Sequence, residues 1–177
     1  DPAVASNLSI FAGEDFWYVG DRQQRRLHKF QKRTNQVLGG VGFPFAPGST
    51  ILSSDENKAY VGAADSTSST SPRLFVVQTA NMQIRQEIAT KRGPHHFTMN
   101  AAGQSLFVAH QESDWITVID TENDFVRLEF SLEAGGSPDA PERHRPVALA
   151  VSPDGNRLWV SCANSNQLRI YSTGAGA

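Results

Sequence analysis

Cysteine is almost missing from this chain: Cys162 stands alone, so no internal disulfide can form. It sits in an apolar strand pattern and reads as a buried, inert thiol rather than a nucleophile or ligand. No apolar run approaches the ~20 residues that a membrane-crossing helix needs. A net charge of −2 leaves no basic excess to draw nucleic acid or an acidic membrane surface. The start lacks a basic segment followed by an apolar one, so the chain is expected to be cytoplasmic or already processed. No stretch of about 12 residues keeps a 3.6-residue apolar period, which excludes an architecture of amphipathic helices. Metal-ligand spacings (His-x-His, HExxH, paired Cys) and the GxSxG elbow are also missing, so no metal, cofactor or catalytic residue is nominated.

What is present is a repeat. "FWYVGD" (Phe16–Asp21), "KAYVGA" (Lys58–Ala63), "SLFVAH" (Ser105–His110) and "RLWVSC" (Arg157–Cys162) each place an aromatic before a valine. Those aromatics, Tyr18, Tyr60, Phe107 and Trp159, follow one another at steps of 42, 47 and 52 residues. Before each segment stands a turn sequence rich in Gly, Asp, Asn or Ser, such as "LSSDEN" (Leu52–Asn57) and "VSPDGN" (Val151–Asn156). After each comes a further short segment: "KFQK" (Lys29–Lys32), "VVQT" (Val76–Thr79), "VIDT" (Val118–Thr121) and "IYST" (Ile170–Thr173). Weaker fourth strands follow at Gln36–Gly42, Gln83–Ala89 and Phe125–Leu132.

Four short strands returning every 40–50 residues or so indicate an all-β chain of β-propeller blades. A lone four-stranded sheet cannot bury both faces, whereas radial stacking hides each face against a neighbour. The expected blades span about residues 8–46, 47–94, 95–146 and 147–177, each of four antiparallel strands, with the last incomplete. The strand-two aromatic is expected to fill the gap between blades.

The third and fourth units, "FTMNAAGQSLFVAHQESDWITVIDTENDFVRLEF" and "VALAVSPDGNRLWVSCANSNQLRIYST", resemble the YVTN family of β-propeller repeats. The likeness is carried by the "SPDG"-type turn, the aromatic–Val pair and "VIDT". The second unit fits in outline, with an enlarged loop at Asp65–Pro72. The first departs most, because "RRLHKFQKRT" replaces an apolar third strand. The resemblance implies an extracytoplasmic setting, periplasmic or at the cell surface. It also implies a binding or interaction module more than an enzyme. A propeller enzyme or redox subunit, lactonase-like or dehydrogenase-chain-like, is the alternative, and a structural cell-surface component is a third reading.

After Thr173 only four small residues remain, so the last unit has no fourth strand of its own. Three readings follow: a piece of a longer ring, assembly with itself or another chain to complete a ring, or a compact four-bladed ring with the N-terminal residues supplying the missing strand. A protein partner is therefore expected, with a small anionic ligand as a further candidate.

The propeller arrangement maps connections from strand four to the next strand one, and from strand two to strand three, onto one face. Four of the five histidines fall there: His95, His96, His110 and His144, with Arg92, Arg143 and Arg145. These seven are the candidate ligand-binding residues, since Arg offers planar multi-donor recognition of carboxylate or phosphate. Neighbouring His95 and His96 are expected to point in opposite directions, which weakens a two-His chelate. The competing reading makes them polar caps and turn residues. The stretch Arg22–Arg33, with six Lys/Arg and His28, reads as a solvated strand with snorkelling side chains. Asp120 and Asp154 read as turn caps.

Overall fold

The computed structural model describes residues 8–63, 73–133 and 144–173. Arg143, the Asp65–Pro72 loop and most of the linker before Arg145 therefore lie outside the described residues. Among those described there is no helix, only four antiparallel sheets in chain order. The first holds β1 (Leu8–Ala12), β2 (Phe16–Asp21), β3 (Arg26–Gln31) and β4 (Val37–Gly42). The second holds β5 (Pro47–Leu52), β6 (Lys58–Ala63), β7 (Arg73–Gln78) and β8 (Gln83–Ala89). The third holds β9 (Pro94–Met99), β10 (Ser105–His110), β11 (Trp115–Asp120) and β12 (Phe125–Ser131). The fourth has three strands: β13 (Pro146–Val151), β14 (Arg157–Cys162) and β15 (Gln167–Ser172).

Turn chemistry explains why the strands break where they do. Asp120 Oδ1 accepts from Asn123 N at 2.9 Å, and Asp154 Oδ1 from Asn156 N at 3.1 Å, the capping expected of both. Hydrogen bonds from Ser152 and Asn156 hold the exposed Asp154 carboxyl below the usual carboxylate range. The turn before each fourth strand ends in a left-handed residue: Asn35 (φ 56°), Met82 (φ 54°) and Asp124 (φ 58°).

The core lies between sheets. Tyr18 and Leu27 of the first sheet pack with Ala59, Val61 and Phe75 of the second. Tyr60 and Leu74 then meet Leu106 and Val108 of the third, and Phe107 and Ile116 meet Leu158 and Val160 of the fourth. Tyr18, Tyr60 and Phe107 do fill the gaps between sheets, each ring removing apolar surface worth about 2–3 kcal/mol. The inner strands β1, β5, β9 and β13 follow one another along the inside of the stack, and no comparable packing joins β1 to β13 among the described residues. Among the described residues the blades form an open arc.

The reading in which the N-terminal residues supply the missing strand falls on residues 1–7, outside the described residues; Leu8–Ala12 pairs with Trp17–Asp21 in its own sheet. One expectation is corrected. The third strand of the first sheet is not a solvated ribbon. Leu27 is fully buried and Lys29 is only 8% exposed. The Lys29 ammonium lies 3.9 Å from the Phe16 ring centroid and donates to Thr79 O at 2.9 Å in the next sheet. Burial pushes its pKa below the ordinary lysine value. A single hydrogen bond and an aromatic face replace the lost water, which a sequence pattern of alternating charge does not reveal.

Candidate functional site

Three inner strands open with a buried proline: Pro47, Pro94 and Pro146. Proline fits the first position of a strand, where its missing N–H costs no ladder bond. Just after each proline the pairing slips by one residue. Pro47 faces Ala63 but Thr50 faces Val61; Pro94 faces His110 but His96 faces Ala109; Pro146 faces Cys162 but Ala148 faces Ser161. Each slip is a β-bulge, and a bulge re-aims side chains that strict alternation would send to opposite faces. His95 is the extra residue in the third sheet. As a result His95 and His96 line the same cleft, contrary to the opposed orientation that alternation alone predicts.

The cleft, about 530 Å³, lies among β1, β5 and β9 on the inside of the arc. Its apolar wall includes Phe11, Ile51 and Phe97, and its polar groups include Arg22, Ser9, Thr50 and Gln111 beside the two histidines. The hydroxyls of Ser9 and Thr50 are buried with no hydrogen-bond partner. Gly20 makes the room for the first, because a Cβ there would stand 2.6 Å from Ser9 Oγ. The Ser49 hydroxyl donates to the His95 carbonyl and ties the bulges of two sheets together. Leu149 N donates to His96 Nδ1 at 3.2 Å, which leaves Nε2 as the protonated nitrogen of the neutral ring. Burial lowers the pKa of both histidines, with Arg145 adding to the effect at His95 and His95 adding to it at His96. Both are therefore neutral at pH 7.

The seven candidate residues do not form one site. His95 and His96 come together, with Arg145 close enough for its charge to act on His95. Arg92 is exposed in the linker before Gly93 and is not part of the cleft wall. His110 has no exposed surface. Its Nε2 lies 2.8 Å from Thr117 Oγ1, which donates to Glu129 Oε1 at 3.0 Å. Glu129 in turn pairs with Lys91 at 2.7 Å. Burial pushes His110 down to about 3, so it is a neutral packing residue between the second and third sheets. His144 is also buried; its N donates to Asp114 Oδ1 at 2.9 Å, and its Nε2 stands 3.3 Å from Glu133 Oε1. The placement of these two on an accessible rim is corrected: both are buried. Arg143 lies outside the described residues.

Sequence reasoning missed Arg22, Gln111, Ser9 and Thr50. A signal existed in the recurrent proline opening the inner strands, since aligning on it places Ser49 beside His96. Among the described residues no three His, Cys, Asp or Glu side chains converge as metal ligands would. No helix among them is long and apolar enough to cross a membrane.

Sheets stacked in chain order around a common inner edge make this a β-propeller-type protein. Two solved structures share the fold. Hydrazine synthase of Kuenenia stuttgartiensis matches with a TM-score of 0.73 and 20% identity, over 92% of this chain and 44% of that one. Dihydro-heme d1 dehydrogenase NirN, in complex with DHE, matches with a TM-score of 0.73 and 13% identity, over 96% of this chain and 35% of that one. This chain thus spans less than half the length of either neighbour. No family model and no curated protein matches it, and the resemblance to YVTN repeats is carried by the quoted motifs alone.

Proposed function

We propose that this chain is a non-enzymatic binding module that takes a small organic anion with an apolar body in the cleft among β1, β5 and β9. One observation carries this reading: the bulged His95–His96 pair, the unpartnered hydroxyls of Ser9 and Thr50, and Arg22 share a cleft with the apolar side chains of Phe11, Ile51 and Phe97. A carboxylate would accept from the Arg22 guanidinium and from the hydroxyls, satisfying buried polar atoms that otherwise lack partners. Phe11 and Phe97 would hold the apolar body. With both imidazoles neutral at pH 7, Arg22 supplies the positive charge, and Arg145 contributes from the rim. Protonation of His95 and His96 on acidification would add charge, so affinity is expected to rise as pH falls below the ordinary histidine range.

The test is a calorimetric titration at pH 7.5 with hexanoate, benzoate, succinate and inorganic phosphate. A carboxylate with an apolar tail should bind more tightly than phosphate. Arg22→Ala should weaken it about tenfold, ~1.4 kcal/mol. Absence of saturable heat for every compound, or equal binding by Arg22→Ala, overturns the reading.

The "SPDG"-type turn, the aromatic–Val pair and "VIDT" support a place among YVTN-type repeats and, with it, an extracytoplasmic setting. Recovery of the native protein from soluble cytosol on cell fractionation would speak against that setting. The enzyme or redox-subunit reading draws on what the two neighbours are, but likeness at 20% and 13% identity carries the fold alone, so the binding reading stands first.

A further inference from the structure

One structural position tethers each inner strand to the next. Counted from the proline that opens the strand, Ser49 of β5 and His96 of β9 are equivalent. The Ser49 hydroxyl donates to the His95 carbonyl on the next inner strand. His96 reaches the following one in turn, its Nδ1 accepting from Leu149 N of β13 at 3.2 Å. A single polar atom makes each tether, and in β5 a serine supplies it. The imidazole of His96 carries a second nitrogen that the tether does not use.

That second nitrogen has a fixed role. A backbone N–H can only donate, so Nδ1 of the neutral ring holds a lone pair and Nε2 carries the proton. Nε2 lies across the ring from Nδ1, turned away from Leu149, on a side chain that lines the cleft. Among the described residues it has no hydrogen-bond partner. The cleft therefore presents Nε2–H as a donor that cannot turn acceptor, beside the Arg22 guanidinium and the unpartnered hydroxyls of Ser9 and Thr50.

We propose that His96 is a specificity-determining residue of this cleft: its Nε2–H donates to a carbonyl oxygen on the body of the ligand, so the ligand is an oxo acid, a carboxylate with a ketone carbonyl along an apolar chain. On the anion-binding reading, which this assignment rests on, Arg22 takes the carboxylate while Phe11, Ile51 and Phe97 hold the chain. A plain CH2 at the carbonyl position would leave Nε2–H desolvated and unpaired. Sites built to hydrogen-bond a ligand group reject the analogue that lacks it on that account.

Hexanoate, 2-oxohexanoate, 4-oxohexanoate and 5-oxohexanoate keep one chain length and move the carbonyl along it. In calorimetric titrations at pH 7.5, the best of the oxo acids should bind at least about tenfold more tightly than hexanoate. His96→Asn is the matched variant: its Oδ1 stands where Nδ1 stood and accepts from Leu149 N, but nothing replaces Nε2–H. It should bind every oxo acid within about twofold of hexanoate, and hexanoate itself as wild type does. Without any ligand, long-range proton–nitrogen NMR of the wild-type protein at pH 7.5 should show His96 protonated at Nε2. Protonation at Nδ1, oxo acids no tighter than hexanoate, or a carbonyl advantage that survives in His96→Asn overturns this assignment and leaves the anion cleft standing. Failure of all four acids to bind overturns the anion-binding reading and this assignment with it.

Discussion

His110 shows how far a side chain's surroundings can move its chemistry. An imidazole with no exposed surface, bonded to Thr117, has its pKa pushed to about 3 by burial. A histidine whose folded pKa is depressed contributes stability that is present above its unfolded value, near 6.5, and lost as pH falls towards the folded value. Below pH 6.5 the fold should therefore lose about 1.4 kcal/mol per pH unit from this group. Urea unfolding at pH 7 and pH 5 should show wild type losing about 2 kcal/mol more than His110→Gln over that interval. Equal losses would mean that His110 is solvated in the folded state. The caps at Asp120 and Asp154 were legible in the sequence because their partners lie two or three residues away. The burial of His110 and Lys29 was not, because a different sheet covers each of them.

At the scale of the element, the second strands coincide residue for residue with the aromatic–Val segments, and Gln83–Ala89 with its strand. Alternation and turn residues are local signals, and they suffice for strands. The bulges after Pro47, Pro94 and Pro146 were not anticipated, since an extra residue shows only once the pairing partner is known. The turns between first and second strands offer a test of backbone reasoning. Gly103 (φ +72°) and Gly155 (φ +74°) hold equivalent left-handed positions. A Cβ on Gly103 would fall 2.0 Å from Ser54 Oγ, whereas one on Gly155 meets nothing nearer than 3.9 Å. Both alanine variants pay the left-handed cost of about 1 kcal/mol, and Gly103→Ala should lose a further 1 kcal/mol or so to the clash. Thermal unfolding of the two variants side by side measures the difference, and equal losses would show that Ser54 moves aside freely.

Across the whole molecule, polar ties join sheets that apolar packing has already brought together. Lys29 reaches Thr79 O in the second sheet, and Arg169 of the fourth reaches back to Leu132 O beside the third. Lys58 crosses from the second sheet to both carboxylate oxygens of Asp124, at 3.0 Å each. Asp124 is fully buried and also accepts from Tyr60 Oη at 2.7 Å, which together with burial raises the phenol pKa. Removing Lys58 takes away the closer of the two cations that face Asp124, leaving half-exposed Arg85 at 3.9 Å, so Lys58→Met should destabilise by about 2–3 kcal/mol. The double variant Lys58→Met, Asp124→Leu should recover much of that loss in chemical denaturation, because no buried charge remains. A double variant as unstable as the single one would show that the aspartate serves the left-handed turn more than the ion pair.

The sequence alone determined that this chain forms short antiparallel strands in repeated units, since period-two alternation, β-branched residues and Asp/Gly/Asn turns act over a few residues. It also settled which face of each unit must find a neighbour, through the strand-two aromatics. Only the tertiary structure decided that His95 and His96 open onto one cleft while His110 and His144 are sealed away, and that Lys29 and Asp124 are buried. Those outcomes depend on where another sheet lies and how its pairing slips. Such contacts form between residues about 30–70 positions apart and leave no periodic mark on either segment.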